Sequence, residues 1–288
     1  MSTQNFSRNP INPDQIKMLY STNGIRLNQT KCFKRVDEIL KGIKIPGEFA
    51  NKPNEKEIMD LYCDYRSWIV FSEGMNKIWP TVELHLKELD GQMKVEGFHI
   101  WYSNSTTIPA LHYANIYFLI SFITAFGVVP LRIKKEDVFL IRQGSSYYAI
   151  KKGEYIKQRS LTKPDGWHEG MLKVAENVAN ESKITLPFRE MDCIRKTRSF
   201  LDYQILAKED LSAQIGELYF GKSLKLSMKL ADTIYKVFTK DLGLSPRNKF
   251  DVRLSSLVQH SEKVINRYES KTQIIALEKV VPCLKKLP

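Results

Sequence analysis

The sequence has few of the residues that build metal sites and disulfide frameworks. Its 288 residues include only four cysteines and five histidines. The cysteines, Cys32, Cys63, Cys193 and Cys283, lie far apart and form no CxxC pair, and no histidines have HxH or HExxH spacing. We therefore expect no metal, no cofactor and no structural disulfide, as in a cytoplasmic protein with reduced thiols.

The sequence also shows no secretory signal and has a long segment without charge. The opening residues, MSTQNFSRNPINPDQ, lack the apolar core that directs export. From Gly97 to Leu131 there is no Lys, Arg, Asp or Glu. The apolar run within it, Ile116 to Val129, is about 14 residues long, whereas a bilayer requires about 20. We predict a buried core helix here, and no membrane contact.

Basic residues exceed acidic ones, at 44 against 32, which gives a formal net charge of +12. A surplus of this size favours polyanionic partners, because their binding releases condensed counterions. Nucleic acid is the first partner class that this charge indicates. Two alternatives remain open, namely an acidic protein partner and a charge that serves only solubility.

Composition divides the chain into an arm and a body. Residues 1–53 are irregular and basic, with prolines as breakers, and are predicted to form an N-terminal arm. Residues 54–288 are predicted to form a single body. Apolar residues recur at helical spacing from Asn54, and we expect Pro80 to stop or kink that helix. The predicted fold class is mainly α, a helical bundle with a small β-hairpin or sheet element.

The β element is predicted as an insertion near residues 93–157. Met93–Ser103 has the aromatic and β-branched residues of a strand. Asp137–Lys151 has the pattern of a β-hairpin with Gly144 in its turn. Beyond the insertion, about four helices are expected, and the segment Leu211–Leu242 is predicted to hold one or two of them. Their predicted ranges are Met171–Ser182, Arg189–Ala207, Leu211–Leu242, and Ser245 to past Tyr268.

The segment GELYFGKS, Gly216–Ser223, matches the P-loop pattern GxxxxGK[ST]. In a P-loop, Lys222 would reach the phosphates and the serine would hold magnesium. The interior of this match is bulky, however, and no strand is predicted before it. We interpret the segment as a turn or a close contact between helices.

Arg253 and His260, at the two ends of RLSSLVQH, have the chemistry of a metal-independent ribonuclease. Seven residues span nearly two helical turns, so both side chains belong to one stripe at the margin of the apolar face. Arginine can neutralise a phosphate there, while histidine carries the proton of a 2′-hydroxyl or leaving group. Arg267 continues the stripe. The alternative is a solvated helix edge, because such a spacing also arises by chance.

The helix before it carries a family resemblance. IRKTRSFLDYQIL resembles the "R..aDY" signature of bacterial HEPN helical domains, with Arg198, Asp202 and Tyr203 matching and Leu201 in place of the usual alanine. The segment IPALHYANIYFLISFITAFG is similar to the aromatic "YYA" helix of those domains and, more faintly, to that of the uncharacterised YaaC-like bacterial proteins. An alternative for Arg198 and Asp202 is a salt bridge between residues four apart on one helix.

The resemblance implies HEPN-like helices over residues 171–270, a compact bundle and frequent dimerisation. It also implies either ribonuclease toxicity in defence and toxin–antitoxin systems, or RNA binding without cleavage. Arg253 and His260 then match the RxxxxxxH nuclease pattern, with Leu254 where a polar residue is usual, and Arg267 and Arg198 would bind nucleic acid. The implied partners are RNA, a second copy of the chain and a protein antitoxin or defence partner. The competing function is a non-catalytic adaptor or scaffold for a protein partner.

Overall fold

The computed structural model describes residues 53–89, 97–133, 136–143, 146–159, 161–162, 164, 166–203, 209–244 and 248–269. These residues are mainly helical, which confirms the predicted class. The predicted arm, residues 1–53, lies outside them except for its last residue. In chain order the elements are α1 Pro53–Leu89, α2 Gly97–Ala125, β1 Val128–Ile133, β2 Glu136–Gln143, β3 Ser146–Lys151, α3 Lys152–Gln158, α4 Trp167–Glu181, α5 Phe188–Tyr203, α6 Glu209–Lys236 and α7 Asn248–Glu269.

Helix α1 continues through Pro80 instead of stopping there. Proline removes one backbone donor and crowds the preceding turn, which disfavours a helix interior by about 3 kcal/mol. Ile78 and Val82, on either side of Pro80, are almost fully buried. Burial of this kind offsets the local penalty, so the prediction that the helix stops is wrong.

Helix α2 replaces the strand predicted over Met93–Ser103. Its first turns begin at Gly97, and residues 93–96 lie outside the described part of the chain. Aromatic and β-branched residues favour strands only weakly, and the same residues also occur in helices when the surrounding structure favours one. The buried side of α2 includes several side chains with no measurable exposure. These are Ile108, Leu111, Phe118, Leu119 and Phe122.

The apolar part of α2, Thr107–Ala125, is the one described helix with the length and composition to cross a membrane. Of this window, 72% is buried inside the protein. Core helices of globular proteins pass the same test, and the burial agrees with the predicted core helix.

Strands β1, β2 and β3 form an antiparallel sheet in that order. In the register, Val128 pairs with Ile141 and Val138 pairs with Lys151. The β2–β3 pair falls on the segment predicted to form a hairpin, although Gly144 lies outside the described residues. The β element ends at Lys151, because residues 152–158 form α3, so its predicted extension to residue 157 is wrong.

The helices predicted beyond Met171 are confirmed in number and approximate position as α4 to α7. Helix α6 is a single long helix, followed by a π-helical turn over Val237–Asp241. Gly243, whose φ is +63°, follows the turn, and the Leu244 N–H donates to the Phe238 carbonyl at 2.8 Å. Glycine suits this left-handed position because it has no Cβ.

The P-loop match lies inside α6, so both the P-loop and the turn interpretations of Gly216–Ser223 are wrong. A phosphate-binding loop needs backbone N–H groups that point outward, whereas helical N–H groups are used within the helix. Phe220 is fully buried and stacks on His85 of α1, with ring centroids 4.3 Å apart. A close contact between helices at Gly216 and Gly221 stays a prediction.

The chain divides into two compact units. Unit 1 comprises Met1–Val70, Leu119–Ile184 and Lys236–Ser245, and it contains the sheet, α3 and α4. Within it, Trp68 meets Phe238 edge-on at 5.1 Å, and the Lys152 ammonium pairs with the Asp137 carboxylate at 2.7 Å. The expectation of a single body for residues 54–288 stays a prediction.

Unit 2 comprises Phe71–Phe118, Thr185–Tyr235 and Pro246–Pro288. Within it, Phe71 of α1 packs against Phe118 of α2, with ring centroids 5.2 Å apart. The helices approach so closely at Gly74 that a Cβ there would lie 2.6 Å from the Phe118 ring. This unit carries the candidate site.

Candidate nucleic-acid interface

Helix α7 supplies the framework of the candidate site. Its buried side follows helical spacing, as the sequence predicts, and packs into unit 2. The residues buried on this side are Leu254, Leu257, Ser261, Val264 and Ile265. Leu254 is 6% exposed, so the position directly after Arg253 belongs to the core. The predicted helix start at Ser245 and Pro246 lies outside the described residues.

Arg253 and His260 lie at the margin of this buried side. The Arg253 side chain is exposed, whereas that of His260 is half-buried. Seven residues of helix separate them by about 10 Å along the axis and about 20° around it. The structure therefore places both on one stripe of α7, which is the geometry that their spacing predicts.

The imidazole of His260 is held from within its own helix. Its Nδ1 lies 2.6 Å from the carbonyl oxygen of Ser256 and 3.2 Å from the hydroxyl of the same serine. A carbonyl only accepts, so we assign the ring hydrogen to Nδ1, which donates it. In the neutral ring, Nε2 then carries the lone pair. This assignment makes Nε2 the nitrogen that can accept a proton.

Trp79 of α1 contacts the imidazole ring of His260. Its indole and the His260 imidazole meet edge to face, with centroids 5.5 Å apart and an interplanar angle of 71°. Trp79 is 37% exposed. Sequence reasoning missed it, and no local pattern could have found it, because the contact joins distant parts of the chain.

The charges of α7 are separated around the helix. At 100° per residue, its basic positions fall with His260 within an arc of about 80°, and its acidic positions lie roughly opposite. The basic positions are Lys249, Arg253, Lys263 and Arg267. The acidic positions are Asp251, Glu262 and Glu269. Lys263 is exposed. Sequence reasoning missed Lys263, although the arithmetic that relates Arg253 to His260 would have found it.

We call Arg253, Ser256, His260 and Lys263 the basic flank of α7. Arg267 occupies the next position of the same stripe, and its side chain lies outside the described residues. A row of cations around a histidine suits a chain of phosphates, because the cations neutralise the backbone while the imidazole can exchange a proton. The arrangement is suited to binding a nucleic acid and to acid–base chemistry on it.

Arg198, a predicted nucleic-acid contact, is held by α2. Its Nη2 donates to the Tyr113 hydroxyl at 2.9 Å, and its guanidinium lies 5.3 Å from the centroid of the same ring. The contact joins α5 to the aromatic part of α2. Asp202 and Tyr203 lie in the last turn of α5, and their side chains are outside the described residues, so the Arg198–Asp202 salt bridge stays a prediction.

Among the described residues, no group of three or more His, Cys, Asp or Glu is arranged to hold a metal ion. Cys63 and Cys193 are buried, and the other two cysteines lie outside the described ranges. The basic flank combines exposed cationic groups with a residue that can exchange a proton.

No protein-family model, curated protein or solved structure matches the chain. The function of the basic flank therefore has to follow from its own geometry and charge.

Proposed function

We propose that this chain is an HEPN-like helical protein that engages RNA through the basic flank of α7. Arg253 and Lys263 are exposed on the same side of the helix, and the whole chain carries a formal charge of +12. Cations in a row bind a phosphate backbone without regard to sequence. The contact between Arg198 and Tyr113 supports the HEPN-like assignment, because it joins the two segments that resemble that family.

We further propose that the flank cleaves RNA without a metal. The observation that carries this proposal is the Nδ1 contact of His260 with the Ser256 carbonyl at 2.6 Å, which leaves Nε2 as the base. Nε2 takes the proton of a 2′-hydroxyl, and that oxygen attacks the adjacent phosphorus as the bond to the 5′ oxygen breaks. Arg253 neutralises charge that develops on the phosphoryl oxygens.

The leaving 5′ oxygen needs a proton that the first histidine does not yet hold. A homodimer solves this problem, because a second copy of the chain brings a protonated His260 that donates to the leaving oxygen. The products are a 2′,3′-cyclic phosphate and a 5′-hydroxyl, with no oxidant or metal consumed. The resemblance to HEPN domains implies the same dimerisation. We place the protein in the cytoplasm, in a defence or toxin–antitoxin system with a protein antitoxin as a further partner.

The test is cleavage of varied single-stranded RNAs by the full chain, in chelator and in divalent metal. We expect equal rates in both and cyclic-phosphate products. His260→Ala removes the proton carrier and should lower the rate by about 10²- to 10⁴-fold. It should still bind RNA, because Arg253 and Lys263 remain.

Ser255→Ala is the matched control, since Ser255 is exposed on α7 and lies about 140° around the helix from His260, away from the flank. It should cleave like the parent. Intact RNA under every condition, or a His260→Ala variant as fast as the parent, would show that the flank is only a solvated helix edge.

The second candidate is a non-catalytic adaptor, which the exposed indole of Trp79 favours, since tryptophan is enriched in the centres of protein interfaces. Salt dependence separates the two functions. RNA binding through phosphates weakens steeply as salt rises, whereas indifference to RNA at low salt favours the adaptor.

A further inference from the structure

Trp79 is the large hydrophobic side chain that the described part of the protein leaves exposed, at 37%. The other aromatic residues with measured burial in α1, Trp68 and Phe71, are at most 2% exposed. Pro80, which follows it, is also exposed. Apolar surface exposed to water costs free energy in proportion to its area. An exposed indole beside His260 therefore suggests a binding function.

The contact with His260 leaves room for a second partner on the indole. An edge-to-face contact at 71° occupies at most one of the two faces of a ring. A partly exposed aromatic side chain beside exposed cations is the arrangement with which proteins bind single-stranded nucleic acid, since bases stack on the ring while cations follow the phosphates.

We propose that Trp79 stacks on an unpaired nucleobase and so positions single-stranded RNA on the basic flank. This inference rests on the proposed function. Trp79 is then a positioning residue: the stacked base fixes the strand, and the cations of the flank hold its phosphates close to His260. The site selects single strands, because the bases of a duplex already stack on one another and cannot also cover the indole.

The experiment measures affinity of the full chain in chelator, with a short single-stranded RNA and with the same sequence in a duplex. Trp79→Ala should weaken single-strand binding by about 5- to 160-fold, the range for loss of one stacked base. Duplex binding should change by less than about twofold, because the phosphate contacts that dominate it remain. Trp79→Phe should keep most of the single-strand affinity, since it retains a ring.

A further readout separates stacking from a merely structural role beside His260. In the cleavage assay, Trp79→Ala should raise KM more than it lowers kcat, and an RNA with abasic positions should bind the parent and Trp79→Ala equally well. Thermal melting verifies that each variant folds, and Trp79→Phe serves if the alanine variant does not.

Three results would overturn the inference. If Trp79→Ala binds single strands like the parent while Arg253→Ala weakens them, stacking is wrong and RNA engagement survives. If Trp79→Ala loses single-strand and duplex binding equally and Trp79→Phe restores neither, the residue acts through the fold of the flank. If the parent binds no RNA at low salt, the proposed function fails as well, and the exposed indole belongs to a protein contact.

Discussion

Two contacts of helix α1 that pair an imidazole with an aromatic ring differ in their access to water. His85 stacks on Phe220 at 4.3 Å and 28°, and it is 2% exposed. Trp79 meets His260 at 5.5 Å and 71°, where the imidazole is half-buried and the indole exposed. Similar side chains thus form a core contact in one place and a surface contact in the other.

The difference separates structural from chemical use of histidine. An imidazole that water cannot reach has no route for exchanging a proton with a substrate, so His85 contributes packing. His260 is fixed at Nδ1 by its own helix, and its side chain is only half-buried. A fixed ring with an accessible accepting nitrogen is what general-base chemistry requires.

The largest expected effect on stability is a difference between alanine variants of the two histidines. His85→Ala should lower the free energy of unfolding by about 2–4 kcal/mol, because it empties a buried, stacked position. His260→Ala should lower it by less than about 1 kcal/mol, since half of that side chain is already in solvent. Urea titration of both variants measures the difference. Equal losses would mean that the two contacts play the same structural role.

A smaller effect tests how tightly the buried side of α1 is packed. Gly74→Ala places a Cβ 2.6 Å from the fully buried Phe118 ring, and we expect a loss of about 1–3 kcal/mol. Gly153→Ala in α3 is the matched control, because its Cβ would meet nothing within 4 Å. That variant should be neutral or more stable by up to about 1 kcal/mol. A harmless Gly74→Ala would show that Phe118 moves easily.

Substitution of Ser256 tests which of its two oxygen atoms orients the His260 ring. Ser256→Ala removes the hydroxyl 3.2 Å from Nδ1 but keeps the carbonyl at 2.6 Å. If the carbonyl orients the ring, kcat/KM for RNA should fall by less than about threefold, which corresponds to less than about 0.7 kcal/mol. A loss as large as that of His260→Ala would assign the orienting contact to the hydroxyl.

The smallest expected effect concerns the carboxylate of Asp192, which lies outside the proposed site and affects only the stability of the fold. Burial raises the pKa of Asp192. Hydrogen bonds from Lys196 and Arg195 have a larger, opposite effect, so the pKa of Asp192 lies below its usual range. Asp192 therefore stabilises the fold above its unfolded pKa of about 3.9, and this contribution is lost as the pH falls through the lower folded value. Asp192→Asn should flatten the acid limb of the stability curve slightly. An unchanged limb would contradict the pairing.

Sequence periodicity predicted the helices in which burial and local pattern agree. Helix α4 is the clearest case, since Met171, Val174, Ala175 and Val178 recur at helical spacing and are buried. The margin position of Arg253 and His260 followed from the same arithmetic. In these helices, the spacing of apolar residues along the sequence is enough to predict which side of the helix is buried.

The sequence misled where tertiary burial overrides local preference. The aromatic residues before Ser103 indicate a strand, yet they lie in helix α2, which is largely buried from Thr107 on. Pro80 indicates a helix end, yet α1 continues between the buried residues Ile78 and Val82. The contact of Trp79 with His260 was out of reach for another reason. It depends on how α1 meets α7, and no pattern within either helix encodes that approach.

The uncharged helix α2 has a consequence for the order of events during synthesis. Tyr113 on α2 and Arg198, which binds it, are 85 residues apart. At about 5–20 residues per second, the ribosome produces α2 about 4–17 s before this partner. Phe71 of α1 is available throughout that interval, but the cover from α5 is not. The nascent chain therefore presents its most apolar helix to other molecules for several seconds, and a chaperone that binds this protein has its target there.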